Sequence, residues 1–240
     1  MRVIGIRKSL LLIILGILWL SALAGFALLA YYDLKPGSNG QMPLKWPANT
    51  CLALANKGCT AVVFLHPQCP CSIATIDELE KIIDACAHAG SKLKVYAEVW
   101  QPSSLESTSV ESTSLESMRS APKYSAPIRS AAKHSAGRSP ASKWPSLADS
   151  KLVRLANNVV GIDCLYDQNG TQAKLFGAKT SGYLMLYGPS GKLLYAGGVT
   201  SSRGHEGDNT GADLVVAAVM GLRKNPVTDI PVFGCGLADK

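Results

Sequence analysis

Two cysteines separated by one proline are the residues of this sequence best suited to chemistry. Cys69-Pro70-Cys71 lies between a continuous apolar run, residues 61–65, and a stretch with apolar residues at helical spacing, residues 73–86. The unpaired N–H groups at a helix N-terminus stabilise a thiolate, which is the attacking species in thiol–disulfide exchange. We predict Cys69 at the N-cap as the nucleophile, Pro70 at the first helical position, and Cys71 as the resolving thiol.

The single intervening residue makes this pair unusual. Residues two apart in a continuous helix point to different faces, so a Cys69–Cys71 bond requires a turn at Pro70 or a helix that starts at Ser72. The small ring predicts strain and hence a more oxidising couple. The alternative is a pair of inert buried thiols.

Two histidines are further candidates for the same site. His66 lies three residues before the first of these cysteines, and His205 lies in a polar, glycine-rich loop, residues 203–209. Either side chain could act as a proton shuttle or ligand, and with the cysteines they make a plausible soft-ligand set for Cu(I). The alternatives are a strand-end His66 satisfied by backbone and a capped helix entry with Asp208 or Asn209 as N-cap.

The other five cysteines divide into three groups. Cys235, near the C-terminus, is a possible further redox thiol or a partner for another cysteine. Cys51 and Cys59 could form a structural disulfide, whereas Cys86 and Cys164 fall at positions expected in the core. The total of seven cysteines is odd, so at least one thiol is unpaired in a monomer.

The elements that must position these residues alternate between strand and helix patterns. The predicted order is β-α-β, an insertion, then α-β-α-β-β-α, which describes a mixed sheet with helices on both faces and an α/β fold class. We predict one domain formed by residues 59–100 and 146–226, followed by a C-terminal tail, residues 227–240.

The N-terminus carries the only long apolar segment, Leu10 to Ala30, with three basic residues before it. Its length suits the hydrocarbon core of a bilayer, and the basic flank favours the cytoplasm. We therefore predict an uncleaved anchor over residues 1–32, a tether over residues 33–58, and a single-pass membrane protein whose domain is exported. A cleaved signal peptide is the alternative, and it also exports the domain.

The middle of the chain, residues 101–145, is of low complexity and contains a five-residue repeat rich in Ser and Thr. That period matches neither helix nor strand, so we expect a disordered Ser-rich insertion. The net charge of +7 matches eight basic residues and one acidic residue within residues 119–154. Their single spacing among Ser, Ala and Pro favours a solvated linker, and we predict no nucleic-acid partner. A composition of 47% hydrophobic residues excludes a wholly disordered chain.

Two separated blocks resemble one family. Residues 62–69, Val-Val-Phe-Leu-His-Pro-Gln-Cys, and a second block with Asp167, Gly170, Ala173 and residues 183–187, are similar to the thioredoxin superfamily. The resemblance is to its membrane-anchored, exported branch of TlpA- and ResA-like thiol–disulfide proteins, and within it to the RedB-like group. It covers residues 46–100 and 146–223. It implies a thioredoxin fold, a redox-active cysteine pair and a protein thiol or disulfide as partner.

The sequence departs from the family pattern at four positions. Ser72 replaces the second cysteine of the usual Cys-x-x-Cys, Gln68 replaces a tryptophan, Val63 replaces a buried acid, and Gly182 replaces the cis-proline. The resemblance implies that Ser181 and Gly182 line the substrate groove through their backbone.

The predicted activity is that of a protein thiol–disulfide oxidoreductase that requires no cofactor. Two alternatives stay open: a copper(I) delivery protein of the same fold, and a redox-inactive adaptor.

Overall fold

A computed structural model describes residues 2–38, 40–102, 150–223 and 225–237, with side chains from residue 11 onward. The chain divides into two compact units, Met1–Lys35 and Pro36–Lys240. The predicted insertion, residues 101–145, lies outside the described residues except for its first two positions.

The first unit is a single helix, α1 (Arg2–Leu34). Its segment Leu11–Leu34 has a mean hydropathy of 2.5 and is long and apolar enough to cross a membrane. Because the unit is one helix, the large apolar side chains of this segment are exposed. A membrane anchor and a signal sequence both have these properties.

The second unit is built on one five-stranded mixed sheet. In spatial order the strands are β3 (Ile162–Gln168), β2 (Leu93–Gln101), β1 (Cys59–Leu65), β4 (Tyr183–Tyr187) and β5 (Leu193–Gly197). The first three run parallel, and β4 and β5 each pair antiparallel with their neighbour. This β-α-β half joined to an antiparallel hairpin confirms the predicted thioredoxin fold.

Alternation along the central strand β1 creates two cores, one on each face of the sheet. Ala61, Val63 and Leu65 face the helical core, while Val62 and Phe64 face the opposite core. The helical core is covered by α2 (Cys71–His88), α3 (Lys151–Asn158) and α5 (Thr210–Val219), and α4 (Thr171–Phe176) covers part of the other face. The helices therefore lie on both faces, as predicted.

The rest of the second face is covered by the two ends of the unit, which differs from the predicted tether and tail. Trp46 packs edge-on against Phe176, with ring centroids 5.3 Å apart. Leu52, Val232 and Leu237 are buried in the same core. Their Pro- and Gly-rich surroundings indicate a linker in the sequence, but these single apolar side chains bury surface that the helices leave uncovered.

Candidate active site

The cysteine pair lies where β1 ends and α2 begins. The Cys69 N–H donates to the His66 carbonyl at 3.0 Å, and the Ser72 N–H donates to the Cys69 carbonyl at 3.0 Å. Pro70 has helical dihedral angles, φ −58° and ψ −32°, and α2 begins at Cys71, one residue later than predicted. The sequence predicts that a Cys69–Cys71 bond requires a turn at Pro70 or a helix that starts at Ser72. In the structure the proline is helical, the helix starts at Cys71, and both thiols are free.

Cys69 is buried, and its pKa is nevertheless lowered. Burial alone raises its pKa, but hydrogen bonds from the Cys235 thiol, the Cys235 and Cys71 backbones and the Ser72 hydroxyl outweigh it, and the net pKa is lowered. Hydrogen bonds to the charged form are what allow a desolvated group to stay ionised. Cys69 therefore meets the electrostatic requirement of a nucleophilic thiol.

Cys71 is half-buried and favours the protonated thiol. Burial, the negative charge of Cys69 and a hydrogen bond to Cys69 raise its pKa, and Arg203 opposes them. The two thiols of the pair therefore have opposite protonation preferences, as required of a nucleophile and a thiol that acts second.

Cys235 joins the pair from the C-terminal end of the chain. Its N–H donates to the Cys69 sulfur at 3.4 Å. Burial, a hydrogen bond to Cys69 and the charges of Cys69 and Cys71 raise the pKa of Cys235 to about 12, and Arg203 opposes this shift. The site thus contains three thiols that hydrogen-bond or interact through charge.

Arg203 is the cationic residue of the site, and sequence reasoning missed it. Its Nη1 donates to the Gly234 carbonyl at 2.7 Å, and its charge and hydrogen bond act on Cys71. The signal was present in the sequence, because Arg203 opens the polar loop singled out for His205. It was obscured because the partners of Arg203 lie 31 and 132 positions away along the chain.

A buried carboxylate fixes that polar loop to α2. Glu78 accepts from the Gly207 N–H at 2.8 Å and from Asn209 Nδ2 at 3.1 Å. Asn209 also caps α5, because its Oδ1 accepts from the Ala212 N–H at 2.7 Å. This confirms the predicted capped helix entry and gives the Arg203 loop a rigid base.

Two serines connect the cysteine turn to the loop before β4. The hydroxyls of Ser72 and Ser181 are 2.8 Å apart, and Ser181 Oγ accepts from the His66 N–H at 2.8 Å. Ser72 Oγ also lies 3.2 Å from the His66 carbonyl. The serine that replaces the second family cysteine thus fixes the turn and contributes a hydrogen bond to Cys69.

Gly182, which the sequence resemblance matched to a cis-proline, follows Ser181. Its φ of 90° lies in the region that glycine adopts readily, and its N–H donates to the Phe64 carbonyl at 2.7 Å. A Cβ added here would lie 3.1 Å from Thr75 Oγ1. The glycine therefore keeps the loop close to both β1 and α2.

The two candidate histidines lie in different environments. The His66 ring is buried and stacks on Trp100 at 5.4 Å, and its Nδ1 accepts from the Gln68 N–H at 3.3 Å. His205 is exposed, and its N–H donates to the Ser202 carbonyl at 3.4 Å. Within the described ranges, no three His, Cys, Asp or Glu side chains form a group suited to hold a metal ion.

The remaining cysteines do not join the site. Cys86 and Cys164 are buried in the helical core, as predicted. Cys51 is exposed whereas Cys59 is buried in β1, and the structure forms no bond between them. Instead the charge of Cys59 acts on Cys86, which places these two thiols near each other in the core.

Comparisons with known proteins give likenesses of fold only. No family model and no curated protein matches the chain. An uncharacterized conserved protein from Geobacillus kaustophilus is 14% identical with a TM-score of 0.50, and covers 86% of this chain and 93% of its own. A hypothetical protein from Sinorhizobium meliloti 1021 is 20% identical with a TM-score of 0.48, over 85% of this chain and 94% of its own.

A third solved structure is a secreted Mycobacterium tuberculosis disulfide oxidoreductase homologous to E. coli DsbE. It is 9% identical with a TM-score of 0.37, over 70% of this chain and 84% of its own. What identifies the fold is the order and direction of the strands. By that topology, the second unit of this chain is a mixed α/β domain with the thioredoxin fold.

Proposed function

We propose that this chain is a membrane-anchored thiol–disulfide exchange protein of the TlpA- and ResA-like kind, similar to the RedB-like group, and acts on a partner protein through Cys69 and Cys71. One observation carries the proposal. Cys69 is 3% exposed, yet its pKa is lowered, because donors from three other residues surround its sulfur. Hydrogen-bond donors around a buried sulfur favour the thiolate, which is the attacking form of a thiol.

The exchange proceeds in two steps. The Cys69 thiolate attacks one sulfur of a partner disulfide, forms a mixed disulfide and releases the other partner sulfur as a thiolate. The Cys71 thiol then gives its proton to the released thiolate and attacks Cys69 Sγ. The second partner thiolate leaves, so the partner gains two electrons and Cys69–Cys71 is oxidised. The reverse sequence oxidises a partner dithiol.

Arg203 assists the second step. Attack by Cys71 requires its thiolate, whose formation is opposed by burial and by the charge of Cys69. Once Cys69 is in a mixed disulfide its charge is gone, and the Arg203 charge then favours ionisation of Cys71. Ser181 and Gly182 lie beside this turn and are proposed to bind the partner's backbone.

The first experiment measures exchange with oxidised glutathione by the full-length chain in detergent micelles. In a chain that carries both Cys71→Ser and Cys235→Ser, the mixed disulfide between Cys69 and glutathione should accumulate, because Cys235 also lies on the Cys69 sulfur. In Cys69→Ser none should form at the turn. Cys51→Ser, which changes an exposed cysteine, is the control. Equal exchange by Cys69→Ser and the unmodified chain would refute the proposal. Dependence on Cys69 without effect of Cys71→Ser would exclude Cys71 as the resolving thiol.

The proposed location is the membrane, with the domain on the exported side. The apolar segment of α1 and the basic residues Arg2, Arg7 and Lys8 before it support this orientation. Cys51 provides the test because it is exposed in the second unit. A membrane-impermeant maleimide should label intact cells carrying the chain but label Cys51→Ser less. Labelling of Cys51 only after lysis would place the domain inside.

A further inference from the structure

The C-terminal segment Gly234–Leu237 lies along the loop before β4 and pairs with it through its backbone at one isolated bridge. The Ser181 N–H donates to the Cys235 carbonyl at 2.8 Å, and the Leu237 N–H donates to the Lys179 carbonyl at 2.9 Å. Between them, Thr180 and Gly236 form an antiparallel bridge. Backbone pairing of an extended segment to an exposed edge is a general mode of peptide recognition. Here the peptide belongs to the same chain.

Several contacts hold this C-terminal segment in place. Leu237 is buried, and so is Val232 just before the segment. Arg203 Nη1 donates to the Gly234 carbonyl. Gly234 packs so closely on Ser181 that an added Cβ would overlap the Ser181 carbonyl oxygen. The segment therefore packs in one specific position, which requires glycine at residue 234, just before Cys235.

This position of the segment brings Cys235 close to Cys69, the proposed nucleophile. Cys235 donates its N–H to the Cys69 sulfur at 3.4 Å, and the two thiols share a hydrogen bond. Cys69 and Cys235 are separated by 166 positions in sequence, and neither belongs to a local motif that includes the other. In a partner protein, a cysteine at the position of Cys235 would be the one attacked.

We propose that the C-terminal segment is an intramolecular substrate: it occupies the groove proposed for the partner protein, and Cys235 forms a reversible disulfide with Cys69. This inference rests on the proposed function, because it assigns a further occupant and a further redox thiol to the same site. It also makes Cys235 a competitor of Cys71 for the sulfur of Cys69.

The disulfide forms at the expense of an external disulfide, such as that of oxidised glutathione. When the segment lifts, the Cys69 thiolate attacks the glutathione disulfide and releases one glutathione thiolate. When it returns, the Cys235 thiol transfers its proton to that thiolate and attacks Cys69 Sγ, displacing the second glutathione thiolate. Glutathione disulfide gains two electrons, and the two cysteines lose them. The Cys69 charge that opposes ionisation of Cys235 is absent in the mixed disulfide.

The direct test is to map disulfides in the full-length chain in micelles. The chain is oxidised with glutathione disulfide, alkylated, digested with trypsin and analysed by tandem mass spectrometry. Cleavage after Lys57, Lys81 and Lys224 places Cys235 in peptide 225–240 and the cysteine pair in peptide 58–81. We expect a Cys69–Cys235 cross-link in the unmodified chain, and more of it in Cys71→Ser because the competing thiol is removed.

Two variants separate the effect of the Cys235 thiol from the effect of the packing of the segment. Cys235→Ser removes the thiol and retains the backbone pairing, so the cross-link disappears while Cys69 alkylates as slowly as before. Gly234→Val places atoms against the Ser181 carbonyl and expels the segment, which should lower the cross-link by about tenfold or more. It also removes the Cys235 donors, so the pKa of Cys69 should rise. Cys51→Ser is the matched control for loss of a cysteine, and thermal unfolding checks that each variant folds.

The outcomes distinguish this inference from the proposed function. If Cys69 forms the glutathione mixed disulfide in Cys71→Ser but no cross-link to Cys235 appears in any chain, the intramolecular substrate is refuted and the proposed function stands. If Cys69 reacts with no disulfide in any variant, both fail. If Gly234→Val unfolds, the presence or absence of the cross-link in Cys71→Ser and its loss in Cys235→Ser decide the question.

Discussion

Cys69 and Cys164 are equally buried, each 3% exposed, yet the domain gives them opposite chemistry. Around Cys69, hydrogen-bond donors outweigh burial and lower the pKa. Around Cys164, in β3, burial and the charge of Glu98 both act in one direction and raise the pKa to about 12. Solvent exposure therefore does not separate thiols with a lowered pKa from thiols with a raised pKa in this protein. What separates them is whether the surrounding groups favour the charged form.

The largest effect should come from removing one thiol of each kind. Cys69→Ser should reduce exchange with glutathione disulfide to the slow rate of the chain's other accessible thiols, such as Cys51, because the hydroxyl does not replace the thiolate. Cys164→Ala should retain the exchange rate of the unmodified chain. The exchange rates of both variants are measured by quenching the reaction with an alkylating agent at set times and analysing the products by mass spectrometry. A Cys164→Ala chain without exchange, but with unchanged thermal unfolding, would break the distinction between the two regions.

Replacing a thiol by a hydroxyl should lower the unfolding free energy more in the core, at Cys164, than at the site, at Cys69. Cys164→Ser buries a hydroxyl in the helical core, close to the buried Glu98, and should cost about 1–3 kcal/mol of unfolding free energy relative to Cys164→Ala unless that carboxylate accepts a hydrogen bond from it. Cys69→Ser, at the end of a polar turn, should cost less. Urea denaturation of the full chain in micelles compares the variants. Equal unfolding free energies for Cys164→Ser and Cys164→Ala would show that β3 supplies the hydroxyl with a partner.

Alkaline pH should destabilise the fold through its core thiols. The folded-state pKa of Cys164, about 12, is above its ordinary value of 9.0, so its contribution to stability is complete below pH 9 and decreases as pH rises toward 12. The expected slope is about 1.4 kcal/mol per pH unit for one thiol in this window. Cys164→Ala should have a shallower decline between pH 9 and pH 11. Identical slopes in the two chains would contradict the assignment.

The smallest effect sharpens the account of Cys69. Ser72→Ala removes one of the hydrogen bonds that lower the pKa of Cys69, and the alkylation midpoint of that thiol should rise by about one pH unit. Ser190→Ala, at an exposed turn between β4 and β5, is the control and should leave the midpoint unchanged. An unchanged midpoint in Ser72→Ala would show that Cys235 and the backbone donors, and not Ser72, lower the pKa of Cys69.

Local pattern predicted most of the sheet and only part of the site. The apolar run of residues 61–65 lies in β1 and the helical spacing of residues 73–86 lies in α2, because such patterns mark a buried strand and an amphipathic helix. Cys69 and Cys71 could be found because they share one motif. Arg203 and Cys235 could only be suspected, since the contacts that bring them to the motif cross more than 100 residues and leave no period in the sequence.

The same reason explains the error at the two ends of the unit. Residues 36–58 contain proline and glycine at the density of a linker, and the apolar side chains of Trp46 and Leu52 are isolated in sequence. Isolated apolar residues give no helical or strand periodicity, although each one can fill a gap in a core. Their burial follows from the surface that α4 alone leaves uncovered on the second face of the sheet.

The bond between the two ends of the unit has a consequence for biosynthesis. The Gly37 N–H donates to the Val232 carbonyl at 2.8 Å, and the Tyr187 hydroxyl donates to the Pro43 carbonyl across 144 positions. Pairings of such long range make folding slow, and a nascent chain cannot form them until its last residues have emerged. Cys69 is therefore made long before the segment that covers it. During that interval Cys69 lacks the cover of that segment and is open to oxidation or mispairing.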